Sequence, residues 1–280
     1  MSKKHNQPIA KSLDRHVLYE EAVQAVDYDL DFFDRIFMRY RGRPLRLLRE
    51  DFCGTAALAS GWVSRDKKNE AWGVDLHGPT LDWGRKHHLA YLSEAEKKRV
   101  HLIQDNVLTA KAPPTEVSVA FNFSYWIFKE RDLLRAYFEK VRKDLKPDGI
   151  LFLDAFGGQE AMGHKKDRRK IPKSARRDGQ KIPKYTYVWD QARFNTITHD
   201  ITCHIHFRFA DGSRLDKAFS YHWRLWTLPE IRELLLEAGY KDVHVYLHGW
   251  DKDGDSDDVY RRRTFYPNES AWVGYIVALK

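Results

Sequence analysis

Between positions 45 and 154 the chain sets five short apolar runs between amphipathic or turn-rich stretches, and this alternation narrows the possible folds more than any other feature. Residues 45–52, 71–75, 100–104, 117–123 and 150–154 read as strands, rich in β-branched and aromatic side chains and bounded by turn residues. Between them, a helix follows the turn Cys53-Gly-Thr-Ala56, a second starts at Pro79, and residues 131–145 form an amphipathic helix stopped by Lys146-Pro-Asp-Gly149. Strand–helix repetition with short connections implies an α/β protein with a doubly wound, mainly parallel sheet and right-handed crossovers. Residues 243–247 and 272–279 supply two more strands, making the expected sheet seven-stranded and Rossmann-like.

The flanking sequence follows other rules. Residues 12–40 place apolar side chains at three- and four-residue spacings, so 1–44 reads as an N-terminal helical segment, with a break expected near Asp27 to Asp29. The core of the fold is then 45–156. After Gly157-Gly158 a polar, basic stretch runs to about Pro183, followed by strand-like runs at 185–189, 200–209 and 215–226; residues 157–226 read as a β-rich insertion able to act as a substrate lid. In 227–280, Thr227-Leu-Pro-Glu230 caps a helix that leads into the last two strands. Aromatic residues make up 14% of the chain and apolar residues 42%, which supports a packed core and excludes a wholly disordered chain.

The net charge of +8 is local. From His164 to Tyr185 there are ten Lys and Arg against Asp167 and Asp178, which accounts for the whole excess and leaves the remaining chain neutral. The segment 164–184 therefore reads as a mobile, solvated basic loop, and it is the place where a nucleic acid would be contacted. Cys53 and Cys203 lie far apart with no CxxC, giving neither a disulfide framework nor a metal site. No apolar run approaches the length of a membrane span. These features together point to a cytoplasmic protein with no membrane partner.

In a doubly wound sheet, ligands bind beyond the carboxyl ends of the strands. Three such ends carry suitable residues: Glu50-Asp-Phe-Cys-Gly54-Thr-Ala56, then Asp75 with Leu76 beside it, then Asp105-Asn106. Taken singly, Gly54 is a turn, Asp75 serves equally as a helix cap, and Asp105-Asn106 is a turn; their occurrence in order, each at a strand end, points to a nucleoside. The passage resembles the class I S-adenosylmethionine (SAM)-dependent methyltransferases, whose first motif commonly reads LDxGCGTG. Glu50 falls on its acidic position and Cys53-Gly54-Thr55 match, while Phe52 and Ala56 stand in place of glycines. Leu145-Lys-Pro-Asp-Gly149 is similar to the family's LKPGG lead into the fifth strand. The resemblance implies SAM as cofactor, held by Glu50, Phe52, Cys53, Gly54, Thr55, Asp75, Leu76, Asp105, Asn106 and Asn122. A dinucleotide is disfavoured because CGTAALA lacks the further glycines that let a helix N-terminus hold a pyrophosphate.

The fourth strand end, Asn122-Phe-Ser-Tyr125, has the N-x-x-Y spacing of the NPPY motif of amino-methylating nucleic-acid enzymes without its prolines. Phe219-Ser-Tyr-His222-Trp-Arg224-Leu-Trp226 resembles a passage of small-molecule methyltransferases; as a strand it puts His222, Arg224 and Trp226 on one face and Tyr221, Trp223 and Leu225 on the other. Tyr125, His222 and Arg224 are thus the catalytic candidates, His222 as a base and Arg224 as a partner for an acceptor's anion. The function expected is methyl transfer to N or O of a small molecule. An RNA or protein methyltransferase using 164–184, or a SAM-binding protein without catalysis, stands as the alternative.

Overall fold

A computed structural model of the chain describes residues 7–177, 179–253 and 256–280, so Asp178 of the basic segment lies outside the described residues. In chain order the elements are α1 (Ile9–Ser12), α2 (Arg15–Val23), α3 (Val26–Arg41), β1 (Leu47–Asp51), α4 (Ala57–Arg65), β2 (Glu70–Asp75), α5 (Gly78–His87), α6 (Glu94–Lys97) and β3 (Val100–Gln104). Then come β4 (Thr115–Ala120), α7 (Arg131–Asp144), β5 (Leu145–Gly157), β6 (Lys165–Ile171), β7 (Ser174–Ala175), β8 (Lys181–Ile182), β9 (Tyr185–Phe194) and β10 (Asp200–Phe209). The chain closes with β11 (Arg214–Arg224), α8 (Leu228–Glu237), β12 (Asp242–Leu247), β13 (Arg261–Arg263) and β14 (Trp272–Leu279). These elements form two units, Val26–Ala161 with Trp226–Lys280, and Met1–Ala25 with Met162–Leu225.

The larger unit is an eight-stranded sheet in the order β13-β12-β14-β5-β4-β1-β2-β3. The five strands from β5 to β3 are parallel, and β14 joins antiparallel to both β5 and β12. Seven strands were expected; the eighth is Arg261–Arg263, which pairs with the outer side of β12 and has no alternating apolar pattern to announce it. Strand order reverses between β1 and β4, which places the switch point of the sheet there. Every residue of β4 is buried, as a central strand flanked on both faces requires.

Successive side chains of β1 serve opposite faces. Leu48 belongs to a core with Leu30, Phe33 and Phe37 of α3 and Ala59, Trp62 and Val63 of α4. Arg49 turns the other way and is itself buried; its guanidinium binds Asp51 at 2.7 Å and Asp144 of α7 at 2.6 Å, and the Tyr137 hydroxyl donates to Asp51 at 2.9 Å. Helix α7 adds Leu134, Tyr137, Phe138 and Val141 on one stripe, the spacing of an amphipathic helix. Removing one member of such a buried ionic set strands its partner, at a cost of about 3–5 kcal/mol.

Two expectations about the N-terminal segment are revised. The helical break falls at Gln24 and Ala25, and Asp27 and Asp29 occupy the first turn of α3, where the helix dipole favours acids. The 1–44 segment is also divided, its first part grouping with the smaller unit and α3 with the sheet.

The smaller unit is an antiparallel sheet in the order β11-β10-β9-β6, with β7 and β8 as a separate two-stranded ladder. Helix α2 buries Val17, Leu18 and Ala22, and Tyr185 donates its hydroxyl to the Leu18 carbonyl at 2.7 Å. The basic segment corrects the sequence reading most: Lys165–Ile171 is an edge strand paired with β9 along its length and not a loop, although most of its side chains are exposed as expected. Some of its charge is engaged internally, Lys166 with Asp190 at 3.1 Å, Arg176 with Glu20 at 3.0 Å, and Arg169 with the Ala22 carbonyl. Polar edge strands of this kind resist pairing with other chains and carry no period-two signal. Strand β11 stops at Arg224, so Trp226 does not continue the face of His222.

Candidate active site

The turn between β1 and α4 is built on left-handed backbone. Phe52, Gly54 and Ala56 have φ of 58°, 53° and 57°. Phe52 and Ala56, standing where glycine is common, keep the conformation that glycine permits, at about 1–2 kcal/mol each. At Gly54 an added Cβ would meet nothing nearer than Thr80 Cγ2 at 4.0 Å, so the turn presents open backbone. Helix α5 crosses close beneath it, since a Cβ on Gly84 would fall 2.1 Å from the Thr55 carbonyl oxygen. Phe52 packs its ring at 6.0 Å from Phe128 and 5.9 Å from Tyr137. The Cys53 thiol is buried and its pKa pushed well up, first by burial and then by nearby carboxyls, so it is a small apolar filler.

Asp75 ties this turn to the end of β2. Its Oδ2 accepts from the Gly54 N–H and its Oδ1 from the His77 N–H, both at 2.8 Å. Beside it the Leu76 side chain is 69% exposed. At the end of β3, Asp105 accepts from the Asn106 N–H and the Thr109 hydroxyl, and Asn106 Oδ1 accepts from the Leu108 N–H. Glu50, on β1, accepts from the Ala59 N–H at 3.1 Å; burial, with added repulsion from Asp75 and Asp29, pushes its carboxyl up to about 8.

Across the switch point, Asn122 and Phe123 are consecutive left-handed residues, φ 56° and 59°. Both donate their N–H groups to the Asp154 carboxylate, at 2.7 and 2.8 Å. Asp154 thereby fixes the chain after β4 from the neighbouring strand β5; burial raises its carboxyl to about 7. Tyr125, a catalytic candidate from sequence, has no exposed surface and donates its hydroxyl to the Asp154 carbonyl at 2.9 Å. It braces the turn from within. Tyr275, opposite Asp154 on β14, donates its hydroxyl to Asp29 of α3 at 2.8 Å.

No family model matches the chain, and no curated protein matches it. Among solved structures, a SAM-dependent methyltransferase from Clostridium acetobutylicum is similar over 93% of this chain and 96% of its own, with a TM-score of 0.65 at 15% identity. CalS10 from Micromonospora echinaspora, an amino pentose methyltransferase solved with SAM bound, covers 99% of both chains with a TM-score of 0.66 at 14% identity. DesVI from Streptomyces venezuelae covers 96% of this chain and 99% of its own, with a TM-score of 0.64 at 15% identity. The chain has the fold of the SAM-dependent methyltransferases.

On this methyltransferase fold the three strand ends selected from sequence lie side by side on one edge, since β1, β2 and β3 are adjacent and parallel. Gly54 and Asp75 are joined directly, and the Asp105 N–H donates to the Asp75 carbonyl at 3.2 Å. His222 and Arg224 belong to the other unit. There Tyr221 and Trp223 stack at 4.3 Å on the covered side, while His222 is exposed with Nδ1 3.3 Å from the Thr202 hydroxyl. Sequence reading missed Asp154, Asp29 and Tyr275. Asp154 was visible as an acid ending an apolar strand; Asp29 and Tyr275 carried no local sign of each other.

Proposed function

We propose that the chain is a SAM-dependent methyltransferase acting on an amino group of a small molecule. The observation that carries the cofactor assignment is Asp75. Its two oxygens are aimed by the Gly54 and His77 N–H groups, each keeping a lone pair for a diol, with the exposed Leu76 beside it as an apolar face for a base. The open backbone at Gly54 leaves room that a side chain would take. These residues fit SAM. In this reading Asp75 holds the ribose, Leu76, Asp105 and Asn106 the adenine, and Glu50, Phe52, Cys53, Gly54, Thr55 and Asn122 line the remainder. When bound, SAM supplies a methyl group activated by a sulfonium charge.

The chain's own residues align and desolvate, which is most of what an in-line displacement asks of an enzyme. Asp154 holds the turn after β4, which keeps the Asn122 backbone at the mouth of the switch point. Nitrogen as acceptor is supported by the Asp29 and Asp154 carboxyls along this edge, raised by burial to about 7, which in their ionised form favour a positively charged group and can take up its proton. It is also supported by structural neighbours, which include an amino pentose methyltransferase and the sugar N-methyltransferase KedS8 from Streptoalloteichus.

Mass spectrometry of the protein incubated with SAM and a panel of small primary amines, aminosugars among them, against the corresponding alcohols tests the assignment. A one-methyl mass increase confined to amines is expected. Methylation of alcohols with amines untouched overturns the choice of nitrogen.

A further inference from the structure

Resting on the methyltransferase reading above, we propose that Asp29 is the group that receives the proton of the acceptor amine, in an aromatic site formed with Tyr28, Tyr260 and Tyr275. Asp29 lies in the first turn of α3, half-buried. Its Oδ1 accepts from the Tyr275 hydroxyl at 2.8 Å, and no described residue donates to Oδ2. The ring of Tyr275, which holds this carboxyl, packs among other aromatic rings. Tyr275 is centred 4.8 Å from Tyr260, 5.5 Å from Phe121 and 6.5 Å from Tyr28, which lies nearly parallel to it. Tyr28 is held by its own hydroxyl, which donates to the Asp258 carbonyl at 3.1 Å.

The surroundings say which ligand fits. Apart from burial, the group acting on Asp29 is Tyr275 from β14; the charge of Asp29 in turn reaches Tyr28 on its own helix, Tyr260 in the segment before β13, Glu50 on β1 and Asp154 on β5, and Asp258 acts on Tyr28 and Tyr260. Arg35, about two turns further along α3, acts on Tyr28, and no Lys, Arg or His contributes to the charge of Asp29. A half-buried carboxyl without a counter-charge, bonded to one of a group of packed tyrosines, is the chemistry that recognises an ammonium ion. Burial holds this carboxyl at about 7, so it changes state in the range where it can accept a proton and release it again. The step moves one proton from the ammonium nitrogen to Oδ2 of Asp29 and leaves a neutral amine whose lone pair can attack; an ammonium has none. The neighbouring Asp154 carboxyl, when ionised, also offsets the repulsion between an ammonium and a cationic methyl donor.

The test uses the full chain labelled with 13C at aspartate carboxyls, titrated first with S-adenosylhomocysteine and then with benzylamine or benzyl alcohol. Benzylamine is expected to lower the pH at which Asp29 titrates by about one unit or more, because a cation stabilises the carboxylate; benzyl alcohol leaves it in place. Asp29→Asn, isosteric with the protonated acid, weakens benzylamine binding roughly tenfold or more and leaves S-adenosylhomocysteine binding within about twofold. Tyr275→Phe keeps the ring and raises the Asp29 titration, since the lost hydrogen bond favoured the anion. Equal benzylamine binding by wild type and Asp29→Asn overturns the proposal, as does an equal loss of S-adenosylhomocysteine binding, which would make Asp29 a cofactor residue. Failure of wild type to bind S-adenosylhomocysteine, read before any amine is added, overturns the cofactor assignment instead.

Discussion

Glu50 shows how a single side chain links stability to ligand charge. Its carboxyl moves from 4.5 to about 8 on folding, chiefly through burial. The native state therefore holds a proton that the unfolded chain releases, and stability falls as pH rises from about 4.5 to about 8, then levels. Glu50→Gln keeps an oxygen for the Ala59 N–H and removes the ionisation. Its Tm is expected to exceed that of wild type at pH 8 by at least roughly 2 °C, and the difference should shrink at pH 5. An equal gain at both pH values would contradict a titration origin. A cationic ligand beside Glu50 should draw the proton off, so part of its binding energy goes into ionising this acid. At the same scale, Phe52 and Ala56 show that a motif can lose its glycines and keep its shape, since both retain the left-handed backbone.

Among the elements, α8 illustrates what local sequence can say. Thr227 Oγ1 accepts from the Glu230 N–H, and Glu230 Oε2 accepts from the Thr227 N–H at 2.9 Å, a capping box written in four consecutive residues. Thr227→Ala is expected to cost about 1 kcal/mol, measured as a lower denaturant midpoint with unchanged slope. A change within error would show the cap to be redundant. Strands β3, β10 and β14 were legible for the same reason: each is an apolar or alternating run between turn residues. Strand β6 was not, because Lys165-Lys-Asp-Arg-Arg-Lys-Ile has no alternation and is a strand only through pairing with β9. β13, three arginines on the edge of β12, is the same case. The site divides in the same way. Gly54 and Asp75 were found because each ends a strand, whereas the clasp of Asp154 on Asn122 spans 32 positions and that of Tyr275 on Asp29 spans 246, distances over which no local pattern reaches.

For the molecule as a whole, the order β3-β2-β1-β4-β5 decides where chemistry can occur. It sets the ends of β1, β2 and β3 in a row on one side of the switch point and those of β4 and β5 on the other, so Glu50, Asp75, Asp105, Asn122 and Asp154, each on one of the five strands or in the turn after it, lie along one edge. Among the described residues, no helix is long and apolar enough to cross a membrane. The central claim is that this edge holds SAM through Asp75. Calorimetric titration of the full chain with S-adenosylhomocysteine tests it most directly, with Asp75→Ala as comparison. Saturable binding at micromolar concentration by wild type is expected, with a loss of roughly 10- to 100-fold in the variant, the worth of hydrogen bonds to a charged group. Absence of binding by wild type, or the same affinity in both proteins, would contradict it.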